Sequence, residues 1–276
     1  MLRSPALAAS AARRDAWLQQ TVDTLQADDR FVAAWLAGSF GRGEHDEVSD
    51  LDFHVVLAND TDPLLHKPAS IWANTTPERR AVFEQFGALV ITHENHWNAI
   101  CDGTFSLLVY ADQVKVDWQF IPASKALRPH FTKLLFAKQE IPHAPMPAAE
   151  DPETRRADLF EQTGYFWLMT STACIYVLRQ DTPAIIAQLS MIHGVLDGLE
   201  RLLRGAPDIW GQRFLPKFSV TVLGTQTWID QLRGYCQHML DLYPRIEAAV
   251  GGPIHPAPMR HIETMLAMAD SAPADR

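Results

Sequence analysis

The sequence predicts an α+β protein: a small mixed sheet flanked by helices, followed by a C-terminal helical bundle. Three observations predict it. Short apolar or alternating runs of strand length recur as far as Phe120. A proline-rich stretch, residues 141–153, then carries Pro142, Pro145, Pro147 and Pro152 and reads as a boundary. Beyond it, apolar residues recur at helical spacing. The expected division is a domain over residues 1–145 and a helical one over 146–276.

The elements follow in order. Trp17, Leu18, Val22 and Leu25 recur at helical spacing within residues 9–28. Residues 31–37 form an apolar run that suits a buried strand and stops at Gly38-Ser39. Gly41-Arg42-Gly43-Glu44 predicts a turn and a short helix, and residues 51–57 a second strand. A Thr76-Pro77-Glu78 start with Phe83 and Phe86 predicts a helix over 76–86, and residues 89–92 a short strand.

Residues 105–110 and 114–120 flank Ala111-Asp112-Gln113 and read as a hairpin. In its second arm Val114, Val116, Trp118 and Phe120 take one face, and Lys115, Asp117 and Gln119 the other.

In the second half, Phe160, Trp167 and Cys174 repeat along residues 153–179. Ile185, Leu189, Ile192, Leu196, Leu199 and Leu203 mark a helix over 182–204, with Thr182 as N-cap, Pro183 in the first turn and Gly205 at the end. A third helix carries Trp228, Leu232, Tyr235, Met239 and Leu242 on one face and should end or kink at Pro244. These stripes are core.

Composition narrows the partners. The 276 residues are 47% hydrophobic, enough to bury a core in each half. With 24 Lys and Arg against 33 Asp and Glu, the formal net charge is -9. Proteins that grip long nucleic acid carry the opposite excess, so the balance favours a small, cationic acceptor. Cys101, Cys174 and Cys236 are scattered and odd in number, which suits buried thiols in a reducing compartment. The start lacks an apolar core of signal-peptide length, and no run approaches the roughly 20 residues that span a bilayer. A cytoplasmic protein is expected.

The chemistry concentrates in Gly38-Ser39 and in Ser49-Asp50-Leu51-Asp52. Alternate residues of a strand share a face, so Asp50 and Asp52 project together while Leu51, Phe53 and Val55 face a core. Paired carboxylates suit Mg²⁺, which keeps waters and takes phosphate oxygens as further ligands. Gly38 lets a phosphate approach the backbone, Ser39 adds a hydroxyl, and a helix beginning there would present its positive end.

This pattern, with a later strand carboxylate at Asp117, resembles the signature of the polymerase-β-like nucleotidyltransferase superfamily. The short first domain followed by helices is similar to the bacterial aminoglycoside and lincosamide nucleotidyltransferases. In the helical half, Phe166-Trp167 and Val177-Leu178-Arg179 resemble the streptomycin adenylyltransferases.

The resemblance implies that Asp50, Asp52 and Asp117 are catalytic metal ligands. It implies that Gly38 and Ser39 hold the nucleotide phosphates, that Ser49 orients the loop before Asp50, and that Arg42 is a phosphate partner. It also implies two Mg²⁺ ions, ATP or another NTP as co-substrate, and transfer of AMP to a hydroxyl of an aminoglycoside- or lincosamide-type antibiotic, with pyrophosphate released. Asp117, or a Glu of the helical half such as Glu161, would serve as base. A nucleotidyltransferase modifying a protein or tRNA and a silent nucleotide-binding regulator are the alternatives. The acceptor's identity, the choice of NTP and the oligomeric state are not legible.

Other motifs read as structure. Gly41-Arg42-Gly43 lacks the Gly-Lys-Ser/Thr of a P-loop. His93 and His96 lack a third ligand nearby and read as surface residues; His193 reads as a core or interface histidine.

Overall fold

The computed structural model describes residues 5–68, 74–94, 98–209, 211–216, 218 and 224–271. Two compact units compose the chain, Met1–Met146 and Pro147–Arg276. The first holds a six-stranded mixed sheet and the second is helical, which is the α+β arrangement expected.

The first unit opens with α1 (Pro5–Ala27), β1 (Phe31–Leu36), α2 (Gly38–Arg42) and β2 (Leu51–Leu57). It continues with α3 (Pro77–Phe83), β3 (Leu89–Glu94), β4 (Thr104–Tyr110), β5 (Lys115–Pro122) and β6 (Lys133–Ala137). The spatial order is β3-β4-β5-β2-β1-β6. β2 and β5 are parallel, and every other pairing is antiparallel. Thr76 caps α3 by accepting from Arg79 N–H at 3.2 Å, and Pro77 sits in its first turn, as the sequence predicted.

Residues 84–86 continue α3 as a 3₁₀ turn, so the expected helix to Phe86 exists as two pieces. β6 was not anticipated: it is a five-residue edge strand whose partner, β1, lies far back in the chain.

One sheet face is apolar throughout. Leu51, Phe53, Val55, Val116, Trp118 and Phe120 pack there beneath Trp17, Val22 and Leu25 of α1 and Val82 and Phe83 of α3. This is the alternation read from the sequence, with both strand sets facing the way it required. The opposite face grades along its length. Ala33, Trp35, Val56, Ile121 and Ala126 form a small second core, and toward the start of β2 and β5 the side chains become polar.

The second unit comprises α4 (Pro152–Arg179), α5 (Thr182–Leu203), α6 (Thr225–Val250) and α7 (Met259–Asp270) around one core. The heptad residues Trp167, Cys174, Ile185, Leu189, Ile192, Leu196 and Leu199 are all buried in it. Phe160 is 40% exposed instead, beside His255 at 4.2 Å between ring centroids.

Two local expectations shift. The N-cap of α5 is Asp181, which accepts from Ala184 N–H, so Thr182 opens the helix rather than capping it. α6 runs through Pro244 to Val250, because buried Leu242 and Ile246 anchor both sides of the lost hydrogen bond. Cys174 and Cys236 are buried, whereas Cys101 is half-exposed. No described helix is long and apolar enough to cross a membrane.

Candidate functional site

The parallel pairing of β2 with β5 builds the site. Its register sets Asp52 beside Asp117 and His54 beside Gln119, with Val56 beside Ile121 deeper in the sheet. One step before the first pair, Lys115 donates to Asp50 Oδ2, and its Nζ lies 3.4 Å from Asp117 Oδ1. Asp50, Asp52, Lys115 and Asp117 therefore form a square on one sheet face. All three sequence-predicted carboxylates are in it.

Gly38 closes the square from the side of β1. Its φ is +55°, a left-handed value that favours glycine, and a Cβ there would overlap the Asp52 carboxylate. The Ala37 N–H donates to Asp52 O at 2.9 Å, which locks the start of α2 to β2. Ser39 follows, its Oγ buried without a hydrogen-bond partner among the described residues. α2 itself is only five residues long, so the positive end it presents is weaker than that of a full-length helix.

Electrostatics sharpen the picture. Burial raises Asp52 to a pKa of about 6, the charges of Asp50 and Asp117 add to the rise, and Lys115 and Arg42 oppose it. Asp117 is likewise held above the usual carboxylate range by burial, with Lys115 pulling down and Asp50 pushing up. Lys115 stays above its ordinary value although burial opposes this, because of its bond to Asp50 and the charge of Asp117. His54, almost wholly enclosed against Trp35, is lowered to about 4 by burial. Gln119 is committed to the chain, donating to Asn98 O and accepting from Ile100 N–H.

Of the other predicted residues, Ser49 and Arg42 flank the square. Ser49 Oγ donates to Asp46 Oδ1 at 2.8 Å and accepts from Asp46 N–H at 2.9 Å, fixing the turn before Asp50. Arg42 is paired with Glu44 at 2.9 Å. Glu161 is an exposed residue of α4 in the second unit. His93 is exposed on β3, and His96 falls outside the described residues.

Sequence reasoning missed two residues. Lys115 was read only as part of a polar face; its place opposite Asp50 needs the β2–β5 register, which no local pattern encodes. Arg14 of α1 is buried and donates to Asp46 O at 2.7 Å and Ser49 O at 3.0 Å, holding the loop that precedes Asp50. Nothing near Arg14 in the chain signals that role.

Three carboxylates, the donor type a hard divalent cation takes, share this face, with an ammonium among them. Among the described residues no three His, Cys, Asp or Glu side chains yet converge tightly enough to hold a metal; Asp50 and Asp117 share the Lys115 ammonium instead. In the second unit, a cavity of about 430 Å³ is lined by Asp158, Asp197 and Asp208 together with Arg201 and the apolar Leu202 and Phe214.

No protein-family model and no curated protein matches the chain. Among solved structures it is similar to the crystal structure of an aminoglycoside 6-adenyltransferase from Bacillus subtilis. The two are 11% identical with a TM-score of 0.35, over 93% of this chain and 98% of that one. So slight a likeness bears no weight for the activity.

Proposed function

We propose that this chain is a nucleotidyltransferase that moves a nucleoside monophosphate, AMP from ATP, onto a hydroxyl of a small molecule and releases pyrophosphate. The observation that carries the reading is the carboxylate square beside Gly38-Ser39: Asp52 and Asp117 in register, Asp50 next to them, and a Cβ-free approach at Gly38.

Asp50, Asp52 and Asp117 are the residues that would hold Mg²⁺. When bound, the cation would neutralise phosphate charge and draw electron density from the α-phosphorus. The chain's own groups do the rest. The Gly38 backbone and the Ser39 hydroxyl, without a partner among the described residues, receive phosphate oxygens. Ser49 and Arg14 hold the loop that aims Asp50. Asp117, in register with Asp52 on the same face, takes the proton of the attacking hydroxyl. Lys115 neutralises the carboxylates before the cation enters. The acidic balance of the chain favours a cationic, hydroxyl-bearing acceptor such as an aminoglycoside.

The test is transfer of label from α-labelled ATP to a panel of aminoglycosides and lincosamides, with pyrophosphate release followed in parallel. Asp50→Asn and Asp52→Asn should each lower turnover by several orders of magnitude and leave circular dichroism unchanged. Variants that stay within a few-fold of the parent would remove these residues from the mechanism.

A further inference from the structure

We propose that Arg128, His130 and His143 form a binding site for a tetrahedral oxyanion of the phosphate class. None of the three is among the groups assigned to the nucleotide, and the site stands whether or not that reading does. They come from the two ends of β6, residues 128 and 130 before it and 143 after it. The backbone brings them together. Arg128 and His143 are partners in an isolated β-bridge, where Arg128 N–H donates to Pro142 O at 2.8 Å and Ala144 N–H to Arg128 O at 2.9 Å. Thr132 Oγ donates to Pro129 O at 2.9 Å and secures the stretch that carries His130.

Arg128 is the outlier among the arginines of the sheet unit. The other described ones that are not exposed each meet a carboxylate: Arg14 meets Asp15, Arg42 meets Glu44 and Arg79 meets Glu94. Half-buried Arg128 has none among the described residues, in a chain of formal net charge -9. Its guanidinium meets imidazoles instead. Arg128 Nη2 donates to His143 Nε2, and the His143 ring lies along that of His130, with 5.9 Å between centroids and 12° between planes. A guanidinium has no acceptor, so the His143 nitrogen accepts, and as a neutral imidazole that ring carries its proton on Nδ1. Two further nitrogens, Arg128 Nε and His130 Nε2, are buried with no hydrogen-bond partner among the described residues. Folded chains leave few buried donors unpaired, so this pair points to an acceptor from outside the chain.

Charge and shape choose the ligand. A guanidinium beside the imidazoles disfavours a divalent cation on them, whereas its planar fork matches two oxygens of one oxyanion. A phosphate-class anion has further oxygens for the imidazoles. A carboxylate has only the two that the fork takes. Bound there, the anion fastens the stretch after β6 to the stretch before it.

Calorimetric titration of the full chain with orthophosphate, and with acetate at matched ionic strength, tests the site. The parent should bind one orthophosphate, and Arg128→Gln and His143→Gln should each weaken it about tenfold or more with circular dichroism unchanged. His143 is exposed, so its variant reports on binding even where Arg128→Gln folds poorly. Saturating Mg-tripolyphosphate should leave the orthophosphate affinity within a few-fold. A parent that binds no orthophosphate, either variant binding it like the parent, or acetate binding as tightly would each overturn the inference. One-for-one displacement of orthophosphate by Mg-tripolyphosphate would overturn it too, and would give the cluster to the nucleotide.

Discussion

The carboxylate of Asp52 is the residue on which stability and chemistry conflict. Its pKa of about 6 lies above the ordinary 3.8, so the folded state binds this proton more tightly than the unfolded one. Stability from that preference is complete below pH 3.8 and is lost as pH rises through about 6. Above that, the cation-free protein carries a buried charge at a cost of about 1–3 kcal/mol, allowing for partial exposure. Asp52→Asn should therefore raise the melting temperature at pH 7.5 without divalent cation, and the gain should vanish near pH 4; thermal scans at the two pH values would show it. A variant that loses stability at pH 7.5 would contradict this account.

Lys115 supplies the compensating charge, so Lys115→Met should destabilise the cation-free protein and tighten Mn²⁺ binding, measurable by titration. Gly38→Ala places a methyl against the Asp52 carboxylate at a positive φ and should cost about 1–3 kcal/mol while weakening the same cation.

At the scale of elements, local pattern and non-local pairing divided the information. β2 was legible to the residue, because Leu51, Phe53 and Val55 alternate with Asp52 and His54. The β4–β5 hairpin was legible for the same reason. The placement of Asp117 beside Asp52 was not, since nothing in either strand states that the two pair, or in parallel. β6 escaped because only Phe136 of its five residues is deeply buried, which leaves no alternation to detect.

The Arg79–Glu94 pair was equally silent. Arg79 of α3 is fully buried, contacts both Glu94 oxygens at 2.5 and 2.6 Å, and donates to Leu64 O and His66 O. It ties α3 to β3 and to the turn after β2. Glu94→Ala should lower unfolding stability by about 3–5 kcal/mol, because a buried guanidinium loses its counter-charge. Denaturant titration showing less than about 1 kcal/mol would demote the pair to surface importance.

Over the whole molecule, each hydrophobic cluster lies within one unit: two clusters in the sheet domain and one in the helical unit. A unit with its own core can fold alone. Residues 147–276 expressed separately should give a helical circular dichroism spectrum and a cooperative melt, and a non-cooperative melt would argue against an independent core.

The parallel neighbours β2 and β5 also dictate when competence arrives during folding. Residues 58–114 must loop out and return before Asp117 can reach Asp52, whereas the hairpins of the same sheet close locally. A nascent chain that has emerged only through Leu57 already owns Asp50 and Asp52 but lacks Asp117, the third carboxylate of the proposed site. In refolding experiments, tryptophan burial should thus precede recovery of divalent-ion affinity, and the interval between the two would time that closure.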